Sequence, residues 1–196
     1  RQECDLELLL NGGFAPLTGF LTQADYTSVV HTMRLADGSL WPMPIMLDIS
    51  ETMAKKLHIG DTIVLKDSCF VPLATMEVQE IWNPNKIEEA QHVFGTTSPL
   101  HYGAKYLLET MQEYYVGGPV TLVNMPRHYD YKELRRTPQE LKAYFKEKGI
   151  TKVVAFQTRN PMHKAHQCIT ARAAQEYNAH LLLHPVVGMT KTGDID

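Results

Sequence analysis

The residues best suited to chemistry lie between Gln157 and His166, where the chain reads Gln-Thr-Arg-Asn-Pro-Met-His-Lys-Ala-His. Arg159 carries a planar guanidinium group whose donors match the oxygens of a tetrahedral anion. His163 and His166 are three residues apart, so on a helix both side chains project from one face. Lys164 adds a positive charge between them. This group of residues predicts a site for more than one negatively charged group.

The elements on either side place this stretch where parallel sheets bind ligands. Residues 152–157 are apolar and β-branched, which indicates a strand buried in a parallel sheet. Asn160 is suited to cap a helix and Pro161 to occupy its first position, so a helix is predicted over 161–177. A second apolar strand over 181–187 completes a βαβ unit. Ligands of such sheets bind where a strand ends and the next helix begins, because the free N–H groups there attract anions.

A metal-binding interpretation of the two histidines is weaker. In metalloproteases the paired histidines are four apart with a glutamate between them, whereas here Lys164 stands beside them and no acidic third ligand is apparent. Asp194 and Asp196 are more typical of solvated acidic residues than of a Mg²⁺ site. Cys168 lies inside the predicted helix, where packing is a better interpretation than nucleophilic catalysis. The sequence therefore predicts no metal ligands in the protein itself.

The preceding part of the chain predicts a mixed α+β domain of short elements. Helices are expected near 5–10, 23–33, 51–57, 84–93 and 101–112, and strands near 45–49, 62–65 and 73–82. Thr22 is suited to cap the second helix. Gly117-Gly118 lies between two apolar runs, which predicts a hairpin of strands 114–116 and 120–123. His101 is expected to pack within this domain or to cap one of its helices.

The character of the sequence changes near residues 127–136, which marks a domain boundary. Thr137-Pro138-Gln139-Glu140 has the pattern of a capping box with proline at the first helical position, and it predicts a helix to Lys148. Residues 1–126 carry a net charge of −8 and residues 127–196 a net charge of +5. Because basic residues attract anions, an anionic ligand is expected in the second part.

The overall composition excludes several classes of protein. The chain has 196 residues, of which 44% are hydrophobic and 21% charged, as in a globular protein of one or two domains. No apolar run reaches the ~20 residues of a membrane-spanning helix, and the first residues are too polar for a signal peptide. Three cysteines without CxxC spacing favour a reducing compartment over a disulfide framework. A cytoplasmic protein without a membrane partner is expected.

The stretch Gln157-Thr158-Arg159-Asn160-Pro161 and the following His163-Lys164-Ala165-His166 resemble the QTRNP and HxxH signature of the ATP sulfurylase (sulfate adenylyltransferase) family. Residues 12–20, 34–38 and 41–45 resemble the PUA-like N-terminal domain of that family. Residues 184–196 resemble its next catalytic block, although Thr192 stands where the family often has proline.

This resemblance implies two domains of different fold class. A PUA-like α+β domain is expected over residues 1–128. The beginning of a Rossmann-like α/β nucleotidylyltransferase domain, with a parallel sheet, is expected over residues 129–196. The later GRD motif of the family does not occur in the sequence. The chain is therefore expected to be a piece of a longer protein and to be incomplete as a catalyst by itself.

The resemblance also implies an enzyme that transfers the adenylyl group of ATP to sulfate, giving adenosine 5′-phosphosulfate (APS) and pyrophosphate, or runs the reverse reaction. Position by position, it assigns catalysis to Thr158, Arg159 and Asn160. Sulfate would contact Gln157 and Arg159, and ATP would contact Gln157, Asn160, His163 and His166. Mg²⁺ is expected with ATP, and the protein is expected to form a homodimer. Sulfate needs no deprotonation, so the reaction requires positioning and charge neutralisation rather than a general base.

Two other functions stay open from the sequence. A nucleotidylyltransferase for another acceptor would use the same site, and dependence on sulfate separates the two activities. A non-catalytic module, either a PUA-like RNA binder or a regulatory remnant, would show salt-sensitive RNA binding without nucleotide binding. The charge of −8 on residues 1–126 disfavours a nucleic-acid partner, because such affinity rests largely on neutralising phosphates.

Overall fold

Residues 1–186 are described by a computed structural model of the chain. They divide into a first unit, Arg1–Arg135, and a second unit that begins at Arg136. This division falls within the interval 127–136 in which the sequence changes character, while the domain bounds 1–128 and 129–196 stay a prediction. Among the described residues, no helix combines the length and the apolar character needed to cross a membrane.

The first unit contains five helices within its described residues, and side chains cap most of them. The helices are α1 (Gln2–Leu10), α2 (Gln23–Thr32), α3 (Glu51–Ala54), α4 (Lys86–Phe94) and α5 (Tyr102–Lys105), which continues as a π-helical turn over Tyr106–Thr110. Thr22 caps α2, as predicted, and Asn85 caps α4. His101 Nδ1 accepts a hydrogen bond of 3.2 Å from the Ala104 N–H, and its ring packs against Phe94. Both expected roles of His101 are therefore confirmed.

A single strand organises the sheet of the first unit. The strands are β1 (Gly19–Phe20), β2 (Leu47–Ile49), β3 (Thr62–Lys66), β4 (Pro72–Glu77), β5 (Glu80–Trp82) and β6 (Tyr114–Leu122). β6 pairs antiparallel with four of them, in registers that include Gly19↔Pro119, Asp48↔Tyr115, Met76↔Val120 and Ile81↔Val116. β3 joins the sheet by pairing with β4. The predicted strand 73–82 is thus present as two segments that both pair with β6.

The predicted hairpin at Gly117-Gly118 is wrong, because β6 continues through both residues. A Cβ atom on Gly117 would overlap the carbonyl oxygen of Leu21, and one on Gly118 would overlap that of Glu77. Gly118 also has φ +154°, which side-chain-bearing residues rarely adopt. The glycine pair therefore permits close approach of neighbouring backbone, and it does not form a turn.

The core of the first unit consists of two clusters of apolar side chains on the sheet. One cluster contains Ile45, Leu73, Met76, Val78 and Val116, all of them almost completely buried. The other contains Tyr26, Val29, Trp82, Leu107 and Tyr115, in which Tyr26, Trp82 and Tyr115 meet with ring centroids 5.7 to 5.9 Å apart.

A buried carboxylate lies in the second of these clusters. Glu89 accepts hydrogen bonds from the hydroxyl groups of Tyr26, at 3.0 Å, and Tyr115, at 2.9 Å. Burial raises the pKa of Glu89, and the two hydrogen bonds partly offset that effect. Burial and the neighbouring Glu89 carboxylate also raise the pKa of both tyrosines, so their hydroxyl groups stay protonated and act as donors.

The second unit is a short α/β segment. Its elements are α6 (Pro138–Glu147), β7 (Val153–Thr158), α7 (Lys164–Glu176) and β8 (His180–Pro185). The capping box is confirmed, because Thr137 Oγ1 accepts from the Glu140 N–H and the Glu140 carboxylate accepts from the Thr137 N–H. β7 and β8 pair in parallel, with Val153 opposite His180. The predicted βαβ unit is therefore present, and the residues predicted from 187 onward lie outside the described residues.

Candidate active site for anionic substrates

The predicted site residues are brought together where β7 ends and α7 begins. Gln157 and Thr158 are the last residues of β7, and a short loop leads from them to the first residue of α7, Lys164. Most of the stretch is exposed to solvent, while Thr158 and His166 are half-buried. This is the position at which open parallel sheets present loops to their ligands.

The loop itself is ordered by Thr158. Its hydroxyl oxygen accepts a hydrogen bond of 3.1 Å from the Asn160 N–H and donates one of 3.0 Å to the Asn160 carbonyl oxygen. These bonds hold residues 158–160 in a turn. Threonine side chains often bond to nearby backbone in this way, which competes with helix formation.

The predicted role of Asn160 as helix cap is wrong for this reason. α7 begins at Lys164, and its N-cap is His163, with extended backbone at φ −115° and ψ 174°. Pro161 therefore lies in the loop and not at the first helical position. Asn160 is left at the carboxyl edge of β7, directly after Arg159 in the same exposed loop.

The first turn of α7 differs from that of α6, the other helix of the second unit. No side chain caps it, and it contains no acidic residue, whereas α6 has both a capping box and Glu140. The first intrahelical bond runs from the Gln167 N–H to the His163 carbonyl, so the N–H groups before it have no acceptor within the helix. Together with Lys164, they favour an anion at this end of α7.

The two histidines of the predicted signature lie against each other. The rings of His163 and His166 stack with centroids 3.8 Å apart and an angle of 30° between their planes. His166 also packs on Phe156 of β7, at 5.3 Å. Its Nδ1 atom is buried and makes no hydrogen bond among the described residues. The spacing correctly predicts that both rings share one face, although His163 precedes the helix instead of lying within it.

His184 begins the stretch that resembles the next catalytic block, but the sequence assigned it no role in the site. The parallel register places it opposite Gln157, and the Val186 N–H donates to the Thr158 carbonyl oxygen at 2.8 Å. Residues in register on parallel strands project to the same side of the sheet. His184 lies near the end of β8, and this position indicates a place beside Gln157 only when the parallel pairing of β7 and β8 is known.

The remaining predicted residues do not join the site. Cys168 is exposed on α7, so the expectation that it packs is wrong for the described part of the chain. Asp194 and Asp196 lie outside the described residues. The stretch 157–166 contains Arg159 and Lys164 but neither aspartate nor glutamate, which makes it suited to negatively charged ligands rather than to a metal ion.

Comparison with known families agrees with both halves of the chain. Residues 1–125 match the family model described as a PUA-like domain, and residues 132–196 match the model described as ATP-sulfurylase. The chain belongs to the PUA-like domain family over residues 1–125, and the rest of it matches the ATP-sulfurylase family. The predicted fold class, a PUA-like α+β domain followed by the start of a parallel-sheet α/β domain, is thereby confirmed.

Individual members of the ATP sulfurylase family match the chain along its whole length. The sulfate adenylyltransferase of Saccharomyces cerevisiae is 51% identical over 196 residues, which are 100% of this chain and 38% of the relative. That of Candida albicans is 53% identical over 209 residues, covering 100% of this chain and 40% of the relative. The chain thus spans about two fifths of the length of these relatives.

A solved structure has the same fold. The structure described as "Hexameric APS kinase from Thiobacillus denitrificans" superposes with a TM-score of 0.76 and 32% sequence identity, covering 98% of this chain and 34% of that one.

Proposed function

We propose that the chain is part of a sulfate adenylyltransferase, which transfers the adenylyl group of ATP to sulfate and releases pyrophosphate. One observation carries the proposal. In a chain that matches the ATP-sulfurylase family, the first turn of α7 contains no acidic residue and has no side-chain cap. It follows β7 after a short loop, and it is flanked by Arg159 and by the stacked His163–His166 pair. Such an arrangement suits two anions that must be held close together.

In the proposed arrangement, Gln157 and Arg159 bind sulfate through the amide and guanidinium donors. Gln157, Asn160, His163 and His166 contact ATP, and the two imidazoles together with the α7 N–H groups face its phosphates. Thr158, Arg159 and Asn160 lie nearest the α-phosphate. The two hydrogen bonds between Thr158 and Asn160 fix the backbone of this loop, and they thereby position the side chains of Arg159 and Asn160.

The reaction then needs no general base. A sulfate oxygen, already ionised, attacks the α-phosphorus in line, and the bond between that phosphorus and the bridging oxygen breaks as pyrophosphate leaves. The main obstacle is repulsion between the two anions, about 4 kcal/mol for unit charges at ~4 Å and an effective dielectric constant of ~20. Cationic and N–H contacts to each anion offset this repulsion and stabilise the charge that moves to pyrophosphate.

We propose Mg·ATP as the form of the nucleotide that binds. The absence of carboxylates from the sequence of residues 157–166 fits a metal ion that arrives on the phosphates of ATP. There it would neutralise charge on the leaving pyrophosphate.

The proposal also includes a cytoplasmic homodimer that uses neither nucleic acid nor a membrane. Cys4, Cys69 and Cys168 are all free and exposed, which suits a reducing compartment. The matching structure is described as hexameric, and this supports self-association of the present chain. Size-exclusion chromatography with light scattering on the complete gene product measures the oligomeric state.

The decisive experiment measures sulfate-dependent pyrophosphate release from Mg·ATP. It is run in parallel on the 196-residue chain and on the complete gene product. We expect release from the complete product, strict dependence on sulfate, and little or no turnover by the chain alone. The reverse reaction, ATP formation from APS and pyrophosphate, is measured on the same samples. Sulfate-independent release would indicate another acceptor, and no reaction in either direction would contradict the proposal.

A second candidate is a binding region that holds APS or ATP without catalysis. The matching structure, which is described as an APS kinase and not as an adenylyltransferase, supports APS as the ligand of such a region. In that case the complete gene product would bind APS or ATP in a calorimetric titration but would release no pyrophosphate. Sulfate-dependent release of pyrophosphate by the complete gene product would exclude this candidate.

A further inference from the structure

We propose that His31, Glu88 and His92 form a binding site for a divalent transition-metal ion, with Zn²⁺ as the best fit. The three residues lie in the first unit, at the C-terminal part of α2 and on the exposed side of α4. This unit does not contain the stretch 157–166. The inference therefore does not depend on the proposed adenylyltransferase activity.

The geometry of the three side chains is close to that of a metal site. His31 Nε2 lies 3.4 Å from a carboxylate oxygen of Glu88, and the rings of His31 and His92 meet edge to face with centroids 4.5 Å apart. One ligand atom from each residue lies within 4.8 Å of the other two. Ligand atoms of a tetrahedral zinc ion are ~3.3 Å apart, from bond lengths of about 2 Å. The three side chains are exposed, and rotations about their side-chain bonds that move each ligand atom by about an ångström would bring these atoms to the spacing of a zinc site.

The backbone that carries these ligands is held firmly. Glu88 and His92 are four residues apart on α4, so they lie on one face of that helix. α2 packs beside it through Val30 and Ala90, which are buried in the same core cluster. A buried hydrogen bond of 3.0 Å from Tyr26 of α2 to Glu89 of α4 also joins the two helices. A metal ion would therefore bind between two helices whose spacing is already set.

The local electrostatics favour a cation. His31 and His92 both lie in the last turn of their helices, where the carbonyl groups carry partial negative charge, and neither last turn contains lysine or arginine. The Glu88 carboxylate adds a full negative charge. Two imidazoles and one carboxylate are the donor set of catalytic zinc sites, whereas Ca²⁺ and Mg²⁺ prefer oxygen ligands alone.

The fourth coordination position would be open to solvent. His31 and Glu88 line a cleft of about 140 Å³ beside α2 and the start of α4. A water molecule or a small anion can reach the proposed metal ion through this cleft, as in zinc sites with three protein ligands. The site is thus expected to accept an exchangeable ligand.

An ion pair between His31 and Glu88 is the simpler alternative, and it makes a different prediction. Such a pair needs only two residues and gives no role to His92. A metal site needs all three side chains, so removal of either histidine should weaken metal binding to a similar extent. The contribution of His92 therefore distinguishes the two interpretations.

The test titrates ZnCl₂ into the 196-residue chain by calorimetry at ~pH 7.5, where free imidazole is neutral. Unaltered protein is compared with His31→Gln and His92→Gln. We expect one zinc ion per chain, with affinity lowered at least ~100-fold in each variant, since loss of an outer-sphere partner alone costs 10- to 100-fold. CoCl₂ replaces zinc in a second titration, and its visible absorption reports the geometry and ligand set directly.

Two control variants locate the binding. His58→Gln removes an exposed histidine that also lies near a carboxylate, 3.6 Å from Asp61, and His166→Gln breaks a second pair of adjacent histidines. Both should bind zinc as the unaltered chain does. Melting curves without metal show whether each variant is folded, and Glu88→Gln, which changes an exposed side chain, serves as a further ligand variant. Unchanged affinity in His31→Gln and His92→Gln, or loss of affinity in a control instead, would overturn the proposal.

Discussion

The two units differ sharply in how much of their surface is buried. The first unit contains every buried apolar side chain of the described residues, and all of them except Ala104 belong to two clusters on one sheet. Between residues 136 and 186, the single buried side chain is that of Thr170. Leu183 of β8 and Ile169 of α7 are exposed although both are apolar.

Because of this difference, the interactions that stabilise the fold and the residues proposed for catalysis lie in different units. Burial of apolar surface contributes roughly 25 cal/mol per Å², so the first unit contains the interactions that stabilise a fold by itself. The second unit is ordered by strand pairing and helix capping, while parallel strands are normally covered on both faces. All the residues proposed to bind ATP and sulfate lie in this less buried unit. Substitutions in the two units should therefore change different measured quantities.

The largest expected effect is on the fold of the first unit. In Gly118→Ala the new Cβ atom would overlap the Glu77 carbonyl oxygen on the neighbouring strand, so β6 cannot keep its pairing. We expect loss of the cooperative unfolding transition, measured by circular dichroism in urea. Gly38→Ala is the matched control, because Gly38 also has positive φ but open space around it. That change should cost only about 1 kcal/mol, and similar behaviour of both variants would contradict this account of β6.

The next effect concerns catalysis and leaves the fold unchanged. Arg159→Ala in the complete gene product should lower sulfate-dependent pyrophosphate release by ~10²- to 10³-fold, the usual cost of removing one donor that stabilises developing charge. The melting temperature should not change, because Arg159 is exposed and outside both core clusters. Arg172→Ala removes the same charge from the exposed surface of α7 and should retain activity. Near-normal turnover by Arg159→Ala would overturn the proposed site.

A matched pair of substitutions tests the difference in burial directly. Leu73 in β4 is 2% exposed and Leu183 in β8 is 47% exposed. Leu73→Ala should lower the free energy of unfolding by ~2 to 5 kcal/mol, because it removes buried contacts and leaves a cavity. Leu183→Ala should lower it by less than about 1 kcal/mol. Equal losses in urea titrations of the chain would show that the second unit is more tightly packed than the exposure of its strands indicates.

The smallest expected effect is the pH dependence caused by Glu89. Burial raises its pKa in the folded protein, so between the unfolded and folded pKa values the folded state binds more protons than the unfolded state. The contribution of Glu89 to the free energy of unfolding is therefore most favourable at low pH and declines as pH rises through that interval.

The measurement compares the unaltered chain with Glu89→Gln. The unfolding free energy of the unaltered chain, minus that of the variant, should fall as pH rises from acid toward neutral. Glu77→Gln is the surface control for the same chemical change. A difference that rises with pH would mean that the tyrosine hydrogen bonds outweigh burial at this carboxylate.

Local patterns of the sequence predicted most elements correctly. Capping residues such as Thr22 and Thr137 correctly indicated where helices begin, because a cap depends on only a few neighbouring residues. The parallel pairing of β7 and β8 was also predictable, since an apolar strand, a helix and a second apolar strand leave few other topologies. For the same reason the sequence correctly predicted that the stretch 157–166 begins at the carboxyl end of a parallel strand.

The errors arose where distant residues or competing side chains decide the structure. Gly117-Gly118 has the composition of a turn, yet the backbone of Leu21 and Glu77 requires glycine there, and those contacts cannot be derived from neighbouring residues. Asn160 is a good helix cap by type, but the Thr158 hydroxyl holds the loop in a turn, so α7 begins later. The cluster of His31, Glu88 and His92 joins two helices far apart in sequence, and no local pattern indicates it.

The central position of β6 sets the order in which the first unit can assemble. This strand is the last of the sheet in sequence, and it pairs Gly19 with Pro119, 100 residues apart. Synthesis proceeds at ~5–20 residues per second. For several seconds, therefore, β6 is not yet available to pair with four strands that precede it in sequence, β1, β2, β4 and β5. Contacts of such separation slow folding, so nascent chains ending before residue 114 should be captured by chaperones more readily than those ending after residue 122.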